Sequence, residues 1–127
     1  MQRSDHPWQD LRPVLYPDPY VFVSVPVMPA EAGAPGTEFA VIREDEGITL
    51  VLTQDQADRL GLAYGYVAAR ITLTIGSALA AVGLTAKVSQ VLATAGISCN
   101  VIAGSVHDHL FVDGARGPEA LALLEGW

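Results

Sequence analysis

The chain has 127 residues, 50% of them hydrophobic, with 14 acidic side chains against 7 basic ones and a net charge of −7. That length suits one compact domain or two half-sized ones, and an acidic chain without a Lys/Arg cluster is a poor match for nucleic acid or an anionic membrane surface. A single cysteine, Cys99, excludes an intrachain disulfide and a thiolate zinc site, and it is expected to act as a small buried hydrophobe.

Residues 1–63 hold ten acids and four bases, whereas residues 64–127 hold four and three, so the acidity belongs to the N-terminal half. Met1 to Asp10 is polar and lacks the apolar core of a secretory signal. The longest apolar stretches are broken by Thr, Ser and Gly well short of the ~20 residues a membrane span needs. A soluble, cytoplasmic protein is the expectation.

Residues 1–18 read as a lead-in arm punctuated by Pro7, Pro13, Pro17 and Pro19, each of which disfavours helix at the preceding residue. Its Trp8, Leu11, Val14, Leu15 and Tyr16 are apolar enough to pack on the body. Tyr20 to Val27 is β-rich, and Pro26 marks its end. Residues 28–36, with Pro29, Gly33, Pro35 and Gly36, read as loop. Phe39–Arg43 and Ile48–Leu52 are strands joined by the charged turn Glu44-Asp45-Glu46-Gly47. Thr53 reads as an N-cap with Gln56 three residues on, opening a short helix over 54–60 that Gly61 stops.

Tyr64 to Ile75 is the longest strand candidate. In it Ile71, Leu73 and Ile75 alternate with Thr72 and Thr74, which predicts one buried face. Leu84, Val88, Val91, Leu92 and Ala95 make one apolar helical stripe, ended by Gly96. Ser98–Gly104 and Leu110–Val112 are strands around a turn at His107-Asp108. Gly117-Pro118 opens a last helix. Ile48–Leu52 and Ile71–Ile75 echo each other faintly, as a duplicated or intertwined module would.

From Tyr64 the order is β, α, β, β, α, most of a ferredoxin-like split βαβ unit. Its closing strand is absent from the C-terminal half, and a strand from residues 20–52 could supply it. The expected organisation is an arm (1–18), a β-rich half (19–63) and a C-terminal domain (64–127), with the two halves sharing one sheet and core.

The run Ile71–Ile75, then Ala81-Val82-Gly83-Leu84-Thr85, then Leu92-Ala93-Thr94-Ala95-Gly96-Ile97-Ser98-Cys99-Asn100-Val101-Ile102, resembles an ACT domain over residues 64–127. More narrowly, the whole chain resembles small stand-alone bacterial ACT-domain proteins. Glu46–Leu52, Ala81–Ala86, Gly96–Gly104 and His107–Val112 carry that likeness in the same order. The resemblance implies an α+β, ferredoxin-like (βαββαβ) ACT fold with an ACT-like N-terminal half. It also implies a regulatory module that binds an amino acid, often between two subunits, and does no catalysis of its own. Ser77–Gly83 departs from the Asp-x-Pro-Gly loop of many ACT domains, so contacts made through that acid do not carry over.

On the residues themselves, Gly83 before the apolar stripe would let a ligand approach the backbone, and free N–H groups at a helix start favour a carboxylate. The Asn100 amide can donate to a carboxylate or accept from an ammonium group. A turn glycine and a strand-entry residue explain the same letters. The candidate ligand site is Val82, Gly83, Leu84, Thr85, Asn100, Val101 and Ile102, with Val82, Leu84 and Ile102 as an apolar lining suited to a small neutral or hydrophobic amino acid.

His107 and His109, two apart on extended chain, could share a metal. No third ligand accompanies them and a polar turn explains them equally, so no metal or other cofactor is assigned. A pH-sensitive or ligand-contacting role for one of them is the alternative. Ser77, Ser89 and Ser105 lack a nucleophile-elbow setting, and Cys99 has no basic neighbour to lower its pKa. Arg70, Lys87 and Arg116 read as isolated surface residues. The two function classes left are a ligand-binding regulator, expected as a homodimer, and an interaction protein that pairs through a sheet edge without a ligand. An enzyme working through His107 or His109 is the weakest alternative, lacking an evident partner for the base.

Overall fold

The computed structural model describes residues 11–29, 39–74 and 83–126. Its elements in chain order are β1 (Pro13–Leu15), β2 (Tyr20–Val25), β3 (Ala40–Glu44), β4 (Gly47–Thr53), α1 (Gln54–Leu60), β5 (Val67–Leu73), α2 (Leu84–Thr94), β6 (Cys99–Ala103), β7 (Asp108–Asp113), a 3-10 turn (Gly114–Arg116) and α3 (Gly117–Glu125). They divide into two compact units. The first joins Met1–Pro17 to Ala69–Trp127, and the second is Asp18–Ala68. The division between the units falls inside β5.

In the unit Asp18–Ala68 the strand order is β3-β4-β2, with Val67 and Ala68 of β5 pairing Val21 and Tyr20 of β2. The β3–β4 and β2–β4 pairs are antiparallel, with Val41 opposite Leu50 and Val23 opposite Leu50 on β4's two sides. Alternation sends Val21, Val23, Leu50 and Leu52 to one face, where Ala57 of α1 completes the core. Helix α1 starts as the sequence predicts, with the Thr53 hydroxyl accepting from Gln56 N at 3.2 Å, and it ends at Gly61 in the left-handed conformation.

The other unit has the order β1-β5-β7-β6. Read from β5, its chain order β5-α2-β6-β7-α3 plus β1 is a complete ferredoxin-like unit whose closing strand comes from the N-terminus. Pro13, Val14 and Leu15 pair with Leu73, Thr72 and Ile71. The missing strand is therefore supplied mainly by the arm. Residues 20–52 contribute only through β2, which pairs at the first two residues of β5. Ile71, Leu73, Leu110 and Val112 point to the face covered by α2 and α3, where they meet Leu84, Val88, Leu92, Ala120 and Leu124. Among the described residues the buried side chains form two hydrophobic clusters, one in each unit.

The order β3-β4-β2-β5 repeats the same plan. Residues 30–38 between β2 and β3, expected as loop, lie outside the described residues. This equivalence sets β4–α1 against β7–α3, and β2 against β5. The sequence echo between 48–52 and 71–75 therefore joins strands that do not correspond.

Candidate functional site

The start of α2 is the more open of the two expected site components. Gly83 stands at its N-cap with φ 101°, exposed, and among the described residues no atom beyond its chain neighbours and its own helix lies within 4 Å of where a Cβ would stand. The first helical hydrogen bond runs from Lys87 N to Gly83 O at 2.9 Å. No side chain caps the helix and its first turn holds no acid. The N–H groups of that turn have no partner within the helix, so an anion is favoured there. Leu84 is buried in the core and Thr85 is exposed.

Strand β6 follows, at the end of its sheet's order, and among the described residues it pairs only with β7. Cys99 and Val101 pack against the core beneath α2 and α3. Alternation then turns Asn100 and Ile102 to the opposite face, which carries no helix among the described residues, opposite Phe111 and His109 of β7. The seven expected residues are thus not brought to one pocket. Leu84 and Val101 share a core, Gly83 and Thr85 are exposed at the helix start, Asn100 and Ile102 are on the other face, and Val82 lies outside the described residues.

The face of Asn100 and Ile102 carries a polar chain that the sequence did not announce. Arg70 Nε donates to Thr72 Oγ1 at 3.1 Å, and Thr72 Oγ1 lies 3.0 Å from Nδ1 of His109. The Arg70 guanidinium stands 3.9 Å from the centre of the Tyr16 ring, a cation–π contact. His107 meets His109 edge-on at 6.4 Å between ring centres, and its Nδ1 is a buried nitrogen without a hydrogen-bond partner among the described residues. Among the described residues no three His, Cys, Asp or Glu side chains converge.

Burial first, then the nearby charges of Arg70 and His107, push the His109 pKa down, with Asp108 opposing them. Burial pushes the half-buried Cys99 thiol up to about 11, which makes it a poor nucleophile. Thr72 was expected on a solvated face and is instead 2% exposed. The period-two pattern identifies residues that share a face and is silent on whether the second face is covered. Arg70 and Arg116 are likewise not isolated. Arg116 donates to Ala95 O and Gly96 O at the end of α2, both at 3.0 Å, and pairs with Glu119.

Two strand orders on the same ferredoxin-like plan, β3-β4-β2-β5 and β1-β5-β7-β6, place the chain in the α+β class of ferredoxin-like folds. The family model described as ACT domain matches residues 8–69. A Vibrio cholerae protein of unknown function, described as a possible transport protein, is 43% identical with a TM-score of 0.80, over 91% of this chain and 88% of that one. An Agrobacterium tumefaciens protein is 21% identical with a TM-score of 0.68, over 86% and 82%. The ligand-free regulatory subunit of aspartate kinase from Thermus thermophilus shares the fold at 14% identity and a TM-score of 0.62, over 90% and 94%. A comparison with curated protein sequences finds no match.

The chain belongs to the ACT-domain family, whose members are regulatory rather than catalytic modules. The family model falls on the N-terminal half, whereas the residue-level likeness was most explicit over 64–127. The solved structures cover both halves. No helix among the described residues is long and apolar enough to cross a membrane.

Proposed function

We propose that the protein is a ligand-binding regulator that senses a small amino acid at the start of α2 and the adjoining edge of β6. The observation that carries this reading is Gly83: a left-handed, exposed cap with open space above it, heading a helix with neither a side-chain cap nor an acid in its first turn. A ligand carboxylate is the natural partner for those N–H groups. Backbone carbonyls along the outer edge of β6 would take the ammonium group. Asn100 and Ile102 face away from Leu84, so they reach such a ligand only if a second copy brings their face to it.

The edge itself supports a second copy, and it favours the second reading, an interaction protein that needs no ligand. Exposed edge strands usually carry charge that blocks pairing, as Arg43 and Glu44 do on β3. No Asp, Glu, Lys or Arg occurs from Val88 to His107, so β6 has no such guard. A homodimer joined there fits both readings, and only the first predicts stabilisation by a small molecule.

A thermal-shift screen against the twenty amino acids separates them. A ligand at ~100 times its dissociation constant adds ~2.7 kcal/mol, a shift of several degrees for a chain of this size. One amino acid is expected to raise the midpoint, with the effect lost in Gly83→Val and kept in Thr53→Ala, which alters the other unit's helix. A flat response to all twenty, in a protein that still dimerises, would leave the interaction reading.

A further inference from the structure

The polar chain on the face of Asn100 and Ile102 lies apart from the proposed ligand site and joins three strands. Thr72 is the single buried polar residue among the described residues. It sits on β5 opposite Val14 of β1, and its hydroxyl contacts Arg70 on its own strand and His109 on β7. Tyr16, directly after β1, touches Arg70 twice. Its ring stacks on the guanidinium, and its N–H donates to the Arg70 carbonyl at 2.9 Å. A single hydroxyl thus stands between an imidazole and the side chain that fastens the N-terminal strand.

Hydrogen-bond direction gives this arrangement a preferred protonation state. Arg70 Nε can only donate, so Thr72 Oγ1 accepts from it and has its own proton to give. Neutral His109 with its lone pair on Nδ1 receives that proton. An imidazolium presents N–H at Nδ1 instead, and the hydroxyl then faces two cationic donors and must aim its proton elsewhere. Among the described residues the charged and titratable groups acting on His109 are Arg70 on β5, His107 at the turn and its neighbour Asp108, of which Asp108 favours the charged form. On the β6 side the ring lies against Gly104, where an added Cβ would stand 3.3 Å from His109 Nε2.

We propose that Thr72 is a proton-dependent latch for β1: neutral His109 holds Thr72 and Arg70 in place, and protonation of His109 loosens Arg70 from Tyr16 and releases β1 from β5. Because the folded state disfavours protonation, the latch is fully closed above the ordinary histidine pKa of about 6.5 and opens as pH falls below it. Release would expose the edge of β5 that Pro13–Leu15 now covers.

Amide hydrogen exchange on the whole chain, corrected for the intrinsic pH dependence, reads the latch at Tyr16 N–H. Its protection is expected to fall about tenfold or more between pH 7.5 and 5.5. Leu62 N–H, bonded to Ala57 O in the other unit, should hold. In His109→Asn, which stays uncharged and keeps a polar atom near the place of Nδ1, Tyr16 protection should no longer depend on pH. His107→Asn should retain the dependence. An unchanged Tyr16 amide in the wild type, or a pH response that survives His109→Asn, overturns the proposal. Should His109→Asn fail to fold, the wild-type titration decides by NMR. The His109 ring and the Thr72 amide must titrate together below 6.5, and a His109 that titrates at or above that value sinks the idea.

Discussion

The two units follow one strand plan and differ in how it is covered. Among the described residues, unit Met1–Pro17/Ala69–Trp127 buries eleven core residues, beneath α2 and α3, whereas Asp18–Ala68 buries five, beside α1. The strand order is the same in both. It follows from alternation along β2 and β5, each of which sends every second residue to an apolar core, and from short hairpins that fix their neighbours.

The largest expected effects probe the two cores. Leu92 lies fully buried on α2 in the larger described core, and Leu52 lies fully buried on β4 in the smaller one with Ala57 of α1. Leu92→Ala should cost about 3–5 kcal/mol, because its densely packed surroundings cannot collapse into the void. Leu52→Ala should cost about 2–3 kcal/mol, the lower end of the same range, because its smaller core can relax. Urea denaturation measures both. Equal costs would mean that core size does not govern the penalty, and two separate transitions would show that the units unfold independently.

The next comparison sets one glycine in each unit. Gly47 turns the β3–β4 hairpin at φ +151°, and a Cβ there would stand 2.7 Å from the Val25 carbonyl oxygen, backbone that is held in the β2–β4 ladder. Gly83 has φ +101° and open space. Gly47→Ala carries both a clash and backbone strain, so it should cost about 2–3 kcal/mol. Gly83→Ala carries strain alone and should cost about 1–2 kcal/mol. The reverse ranking would place an unseen neighbour over Gly83 and close the proposed ligand site.

Much of this was legible in the sequence, and the gaps have physical causes. The elements from Tyr20 onward follow from apolar period and turn chemistry, with α1 located by Thr53, Gln56 and Gly61 and α2 by its stripe. Strand β1 was hidden because three residues between prolines carry no period, and only pairing with Ile71–Leu73 makes them a strand. Gly83 was legible as an open cap. Asn100 and Leu84 lie on different faces because sequence proximity does not give side-chain direction, whereas the alternation along β6 does. The Arg70–Thr72–His109 chain needed two strands 37 residues apart to be neighbours, which no local pattern records.

The smallest effect concerns the two helix starts. Thr53 caps α1 through its hydroxyl, so Thr53→Ala should cost about 1 kcal/mol. Helix α2 has no such side chain to remove, and its opening N–H groups await a partner from outside the helix. Amide exchange should therefore be slow at Gln56 and fast at Thr85 and Ala86 in the free protein. An amino acid that raises the melting midpoint should slow exchange at Thr85 and Ala86 and leave Gln56 unchanged, since its carboxylate would do at α2 what Thr53 does at α1. Protection that rises along β6 alone, with Thr85 and Ala86 still exchanging fast, would mean that the molecule acts through the strand edge and that the open cap is a feature of the fold rather than of binding.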